Sequence, residues 1–114
     1  MDKKQPTSYY VEKIVDDIEF IIKQCEGVSL EEFENNELLN NAISFRFIQI
    51  SESVKMIPES LKESNKNIPW NKIYGLRNKI VHDYGNVSLD VVYMTIIDDL
   101  PILLEELFVL IKDK

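Results

Sequence analysis

Apolar residues recur along the chain with the period of an α-helix. In the first such stretch they are separated by four, four, three and four positions, through Tyr10, Ile14, Ile18, Ile21 and Cys25. This spacing puts one apolar stripe on a helix, which we expect over about residues 8–26. Either Thr7 or Ser8 can cap its first turn, and Gly27 is a natural residue to end it.

Two more helices are expected before residue 58. Ser29 and Glu32 have the spacing of a capping box, which opens a short helix that the pair Asn35-Asn36 interrupts. Asn36 then caps a longer helix. Its apolar stripe consists of Leu39, Ile43, Phe47, Ile50, Val54 and Ile57. Pro58 ends this helix or starts the next element, because proline restricts the residue before it and suits the first helical position.

The second half of the chain predicts a short helix or turn at residues 58–65, followed by two longer helices. We expect Pro69 at the first position of one of them and Gly85-Asn86 at its end. Its apolar and aromatic positions are Trp70, Ile73, Leu76, Ile80 and Tyr84. Ser88 caps the other helix, which runs to about residue 112, and we expect Pro101 to kink it near residues 97–98.

No segment shows sustained alternation of apolar and polar residues, so no sheet is expected. We therefore predict an all-α fold, with four main helices in an up-and-down bundle and short extra helical turns, in one domain over residues 1–114. Some apolar residues lie outside the single stripes, namely Val11, Val15, Ile22, Phe45, Ile48, Val81 and Val91. They either form a second apolar face for self-association or widen the arc of each helix that faces the core.

Charge narrows the possible functions. With 13 basic and 20 acidic residues the net charge is −7, unlike the basic surplus of most nucleic-acid-binding proteins. Any RNA contact therefore has to use a local basic patch. Lys72 and Lys79 lie near Arg77 in the sequence, and Lys62 and Lys66 join them if the loop that follows folds over the same side.

The single cysteine and single histidine exclude an internal disulfide and a His/Cys metal cage within one chain. The polar N-terminus lacks the apolar core of a signal peptide, and no apolar run approaches the roughly 20 residues that span a bilayer. We expect a cytoplasmic protein that makes no membrane contact and uses neither a metal nor a cofactor.

The candidate chemistry lies in residues 75–85, which contain Arg77, Asn78, His82 and Tyr84. On a helix, successive residues turn by about 100°, so Asn78 and His82 share a face, while Arg77 and His82 lie about 140° apart. One helix therefore does not aim both side chains at one atom. A second copy of the helix about a two-fold axis can supply the missing group, which favours a site at a dimer interface.

These residue types suit metal-free cleavage of RNA. A neutral His82 can take a proton from a ribose 2′-hydroxyl, and the Arg77 guanidinium can hold a phosphate and stabilise charge on phosphorus. Asn78 can orient His82 or donate to phosphate. Structural alternatives exist for three of the four candidate residues. His82 can stabilise a helix C-terminus, and Tyr84 can pack in the core. Arg77 can form a surface ion pair, for example with Glu52.

The spacing Arg77-x4-His82-x-Tyr84 resembles the R-x4-H-x-Y motif of HepT-like toxins in the HEPN superfamily, and Asn78 fits the polar position of the wider HEPN pattern. Flanking segments are similar to the family too: residues 29–33 to "SFEEF", 49–53 to "IIGEA", 68–70 with 75–77 to "IPW…GLR", and 98–101 to "NDLP". In the segment 98–101, Asp98 stands where the family usually has Asn. The resemblance extends over about residues 9–110.

This resemblance implies an HEPN-like toxin of a type VII-like toxin–antitoxin pair. It implies a homodimer whose two motif helices build a composite, metal-independent ribonuclease site, with Arg77 and His82 as catalytic residues and Asn78 in support. RNA, for example tRNA, is the implied substrate. The implied partner is a minimal nucleotidyltransferase antitoxin, which inactivates the toxin by transferring AMP onto Tyr84.

Two other functions remain open on the sequence. The same dimer could bind a nucleotide or the nucleotidyltransferase without cutting RNA, with the motif recognising phosphate only. A purely structural bundle would leave the motif unexplained.

Overall fold

A computed structural model describes residues 6–81 and 88–112 of the chain, with the backbone alone for residues 76–81. Within these residues the regular structure is entirely helical, as predicted. The α-helices are α1 (Thr7–Gln24), α2 (Leu30–Glu34), α3 (Glu37–Lys55), α4 (Glu59–Ser64), α5 (Trp70–Val81), α6 (Leu89–Met94) and α7 (Leu100–Lys112), and a π-helical turn (Thr95–Asp99) joins the last two. In these described ranges, no helix combines the length and the apolar character needed to cross a bilayer.

The predicted helix boundaries at the first loop are confirmed by hydrogen bonds. Ser29 Oγ accepts from the amide of Glu32 at 3.1 Å, and Glu32 Oε1 accepts from the amide of Ser29 at 2.9 Å, which completes the capping box. Asn36 Oδ1 caps α3 by accepting from the amide of Leu39 at 3.0 Å. Gly27 has φ of +71°, a conformation that glycine adopts without steric cost.

Three of the predicted caps differ from the structure. Pro6, rather than Thr7 or Ser8, is the residue before α1, because the fixed φ of proline leads into a helix without any side-chain bond. Ser88 does precede α6, but its hydroxyl bonds the carboxylate of Asp90 and does not itself cap the helix amides. Pro69 lies one residue ahead of α5 and not within it.

The core lies where α3 packs against both α1 and α5 and where α7 packs against α1. Residues of the first two predicted stripes that are at most 3% exposed are Ile14, Ile18, Ile21, Cys25, Ile43, Phe47, Ile50, Val54 and Ile57. Val11 and Val15 are also buried. Since α1 has neighbours on two sides, it buries a wide arc, and the wide-arc interpretation is correct for these two valines.

The π-helical turn lies directly before Pro101. The amide of Leu100 bonds the carbonyl of Thr95, five residues earlier, and Thr95 Oγ1 donates to the carbonyl of Val91 at 2.9 Å. Proline has no N–H, and its ring clashes with the carbonyl four residues before it in a regular helix, so a wider turn relieves the clash. The disturbance that we expected at residues 97–98 therefore takes the form of this π-helical turn.

A buried ion pair also joins α1 to α3. Arg46 Nη1 donates to Asp17 Oδ1 at 2.8 Å, and Asp17 is only 1% exposed. The guanidinium carbon of Arg46 lies 3.9 Å from the centre of the Phe20 ring, in a cation–π contact. Lys13 Nζ stands 3.9 Å from the second oxygen of Asp17, too far for a hydrogen bond. The pair thus connects the two central helices through a carboxylate that depends mainly on one arginine.

Candidate functional site

Helix α5 carries the first part of the motif, and the loop before it is tightly held. Trp70 is buried, and its Nε1 donates to the carbonyl of Asn65 at 3.1 Å. The amide of Ile68 donates to the same carbonyl at 3.1 Å, and Asn65 Nδ2 donates to the carbonyl of Leu61 at 2.9 Å. These bonds tie the end of α4 to the start of α5. Trp70 thus acts as a packing anchor at the start of α5.

A second set of contacts fixes α5 along its length. Ser51 of α3 is fully buried, and its Oγ donates to the carbonyl of Tyr74 at 3.0 Å. Ile73 packs in the core beside it. Lys72 Nζ also lies 4.0 Å from Asp99 Oδ2 of the π-helical turn, but both side chains are largely exposed and this contact contributes little. The helix is thus held mainly through Ser51 and Ile73, just before the position of Arg77.

The structure reaches only part of the predicted site. Arg77 and Asn78 belong to the described backbone of α5, which confirms the helix as far as Val81. Their side chains, and the whole of His82 and Tyr84, lie outside the described residues. The convergence of the four side chains, and the pairing of Arg77 with Glu52 that we considered as an alternative, therefore stay predictions.

Ahead of the motif, three lysines that are separated in sequence come together. A groove of about 360 Å³ between α4 and the start of α5 is lined by Glu59, Lys62, Glu63, Lys66, Ile68, Pro69, Trp70, Asn71 and Lys72. We call this surface the lysine groove. The loop brings Lys62 and Lys66 to the same groove as Lys72, while the side chains of Arg77 and Lys79, the other members of the expected basic patch, lie outside the described residues.

A smaller cleft of about 140 Å³ separates α5 from the π-helical turn and α7. It is lined by Pro69, Lys72, Ile73, Thr95, Asp99, Leu100, Ile102, Leu103 and Glu106. Lys72 borders both this cleft and the lysine groove, so its contact with Asp99 stands on the ridge between them. Among the residues whose side chains are described, no three His, Cys, Asp or Glu residues gather as metal ligands do.

Sequence reasoning overlooked Ser51, which positions α5, and Asp99, which lies beside it. Ser51 follows directly after a residue of the apolar stripe of α3, and a small hydroxyl at such a position is the one available signal of a buried contact. Asp99 belongs to the 98–101 segment that we matched to the family, but nothing in the sequence pairs it with Lys72. Both contacts join residues that are more than 20 positions apart.

Comparison with known proteins gives consistent results. A family model described as "Ribonuclease HepT-like" matches residues 13–109. The chain is 33% identical to a "Putative RNase" of Caldanaerobacter subterraneus subsp. tengcongensis, over 81% of this chain and 82% of that protein. It is 30% identical to the "Probable ribonuclease HepT" of Thermococcus cleftensis, over 81% and 84%. It is 29% identical to a "Putative RNase" of Methanocaldococcus jannaschii, over 96% and 91%. No solved structure gives a significant match.

Proposed function

Because this chain belongs to the HepT-like ribonuclease family, we propose that it is a metal-independent endoribonuclease whose catalytic residues are Arg77 and His82. The observation that carries the proposal is the extent of the family match. Residues 13–109 include the whole of Arg77-x4-His82-x-Tyr84 and the helix on which it begins. The other matched segments have structural tasks of their own, since residues 29–33 contain the capping box and residues 68–70 lead into α5.

The proposed reaction is a transesterification within the RNA backbone. His82 takes the proton of a ribose 2′-hydroxyl, whose oxygen then attacks the adjacent phosphorus. The bond from phosphorus to the 5′-oxygen breaks, and protonated imidazole returns a proton to that leaving oxygen. The products are a 2′,3′-cyclic phosphate and a 5′-hydroxyl. Arg77 stabilises the extra negative charge of the pentacoordinate phosphorus, and Asn78 supports the pair.

The site is proposed to be complete only in a homodimer, because the spacing of Arg77 and His82 corresponds to about 140° on an ideal helix. Exposed apolar side chains on one face of α3 support an interface there. Leu38 and Phe45 lie two helical turns apart and are 81% and 56% exposed. A partner packed over these residues would remove apolar surface from water, and we propose that the same two-fold contact brings the second motif helix near the first.

The wider setting of the proposal follows from the family resemblance. One HEPN-like domain over residues 1–114, a four-helix bundle, acts as the toxin of a type VII-like toxin–antitoxin pair in the cytoplasm. Its partner is a minimal nucleotidyltransferase, which neutralises it by transferring AMP to the hydroxyl of Tyr84. The hydroxyl oxygen attacks the α-phosphorus of ATP, pyrophosphate leaves, and the hydroxyl proton passes to solvent or to a base of the transferase.

Incubation of the purified protein with total tRNA in the presence of a chelator tests the activity. We expect fragments with 2′,3′-cyclic phosphate ends from the wild type. General acid–base catalysis contributes about 10²- to 10⁴-fold, so His82→Ala should lose about that much, and Arg77→Ala should lose about 10²-fold or more. Asp83→Asn, next to His82 but with no assigned role, is the matched control. RNA cutting that survives in His82→Ala or Arg77→Ala contradicts the mechanism, and RNA binding without fragments favours the binding-module alternative.

Two further measurements test the assembly and the regulation. Phe45→Glu should yield monomers in analytical ultracentrifugation and lose activity, whereas Val109→Glu, equally exposed but on α7, should change neither. Intact mass after co-expression with the nucleotidyltransferase should show added AMP that is absent in Tyr84→Phe. A dimer that withstands Phe45→Glu, or AMP that persists in Tyr84→Phe, contradicts the respective assignment.

A further inference from the structure

We infer that the lysine groove binds the phosphodiester backbone of the RNA substrate, next to the bond that is cut. The inference rests on the proposed ribonuclease function and deepens it, since it names the surface where a chain of net charge −7 meets a polyanion. Affinity for nucleic acids comes largely from Lys and Arg contacts to phosphates. An acidic protein therefore needs such a surface in one place.

The charges in the groove are arranged so that a phosphate can replace their present partners. Lys62 Nζ lies 3.6 Å from Glu59 Oε2, but the Glu59 side chain is 81% exposed, so this ion pair is weak. Lys72 and Asp99 are 4.0 Å apart and both largely exposed. Among the described residues, no carboxylate forms an ion pair with Lys66. RNA binding thus breaks only contacts that contribute little to stability.

The groove is built before any ligand arrives. Its floor includes Ile68 and Trp70, which are buried, and the hydrogen bonds of Asn65 hold the loop that connects them to α4. The Lys62 side chain lines the groove and is only 17% exposed, so most of it is packed against the protein. A surface that is already ordered loses less conformational entropy when it binds.

The position of the groove links it to the motif. Lys72 and Arg77 belong to the same helix, five residues apart, which is about 7.5 Å of axial rise. Five residues also correspond to about 140° of rotation, so a strand whose phosphate is held at Arg77 reaches the groove by passing around α5 as well as along it. Three lysines line the groove against two glutamates, and Asp99 beside Lys72 adds a third carboxylate, so the groove is less acidic than the whole chain with its 13 basic and 20 acidic residues. This contrast favours the groove over the rest of the surface for contact with RNA.

The test is binding of a fluorescent 2′-O-methyl RNA of 12 nucleotides, which lacks the attacking hydroxyl, measured by anisotropy at several salt concentrations. The groove variant is Lys62→Gln/Lys66→Gln/Lys72→Gln. The control variant is Lys23→Gln/Lys55→Gln/Lys112→Gln, which removes the same charge from exposed positions outside the groove. A third protein, Lys62→Arg/Lys66→Arg/Lys72→Arg, keeps the charge of the groove.

Each phosphate contact contributes about 0.7 to the slope of log K against log salt for a single strand, so three contacts contribute about 2. Between 50 and 200 mM salt, the wild type should lose about twentyfold more affinity than the groove variant. The control and the arginine protein should keep the wild-type slope, and circular dichroism should show all four proteins folded. The inference is overturned if the salt dependence of binding is reduced equally in the groove and control variants, or if it is reduced in neither of them.

Cleavage of unmodified RNA by the same proteins separates this inference from the proposed function. If the groove variant cleaves RNA as fast as the wild type at every substrate concentration, the inference about the groove is overturned and the ribonuclease function is not. Groove-dependent binding of the 2′-O-methyl RNA without any cleavage of unmodified RNA overturns the ribonuclease function and leaves the binding surface supported. If the acidic face of a protein partner is the true ligand, the groove variant binds the RNA as the wild type does, which also overturns the inference.

Discussion

The ion pair between Arg46 and Asp17 gives the most direct test of what holds the two central helices together. Replacing Arg46 by Met keeps a long side chain but leaves the Asp17 carboxylate almost fully buried, with only Lys13 at 3.9 Å. Breaking a fully buried pair costs about 3–5 kcal/mol. Since the Arg46 side chain is 31% exposed and Lys13 remains, we expect a loss nearer 2–3 kcal/mol.

The contact of Arg46 with Phe20 adds about 0.5 kcal/mol, so the total cost of Arg46→Met is about 3 kcal/mol. In a protein of this size, about 1 kcal/mol corresponds to about 4 °C in Tm, and the melting temperature should fall by about 12 °C. Urea unfolding of Asp17→Asn, Arg46→Met and the double variant measures the coupling between the two side chains. The double variant should be more stable than the sum of the single losses predicts.

Two outcomes would refute this reasoning. A coupling energy below about 0.5 kcal/mol would mean that the 2.8 Å contact contributes no more than an exposed surface pair. A Tm for Arg46→Met within about 2 °C of the wild type would mean that the buried carboxylate tolerates the loss of its partner. By contrast, Asp17→Leu combined with Arg46→Met should recover most of the stability, because no buried charge is then left unpaired.

Three further predictions concern single side chains. Ser51→Ala removes the hydrogen bond to the Tyr74 carbonyl and should cost about 1 kcal/mol in urea unfolding, and an unchanged midpoint would contradict this. Burial raises the pKa of the Cys25 thiol, so a thiol reagent should label it far more slowly in native protein than in denaturant, and equal rates would count against a buried site. Hydrogen bonds from Ser29 lower the pKa of Glu32 below its ordinary 4.5. Its stabilising effect is therefore present above that value and lost as the pH falls through the lowered pKa, so the stability advantage over Glu32→Gln should disappear in acid.

The helices were largely predictable, because each carries a periodic apolar stripe and local stop signals. The capping box at Ser29 and the cap at Asn36 depend on residues three positions apart, which the sequence shows directly. The burial of Val11 and Val15 depends instead on α1 having neighbours on two sides, and that is a property of the packing. The sequence also could not predict whether Pro101 causes a kink or a π-helical turn in the helix, because both relieve the same clash.

The candidate site was predictable to the extent that it is local. The motif and its helix were read from spacing and resemblance, and α5 is confirmed as far as Val81. The contact of Ser51 with Tyr74 joins residues 23 apart and has no local period to reveal it. The lysine groove depended on the course of one loop, which the hydrogen bonds of Trp70 and Asn65 determine.

The lysine groove is formed entirely by residues of a single chain, whereas the proposed cleavage centre needs two. RNA binding and RNA cleavage would then depend differently on the protein concentration. When the protein is diluted at a fixed excess of RNA, substrate occupancy per chain should stay constant while turnover per chain declines as the protomers separate. A cell that keeps this protein scarce would in that case possess a harmless RNA-binding monomer, and only an increase in its abundance would make it destructive.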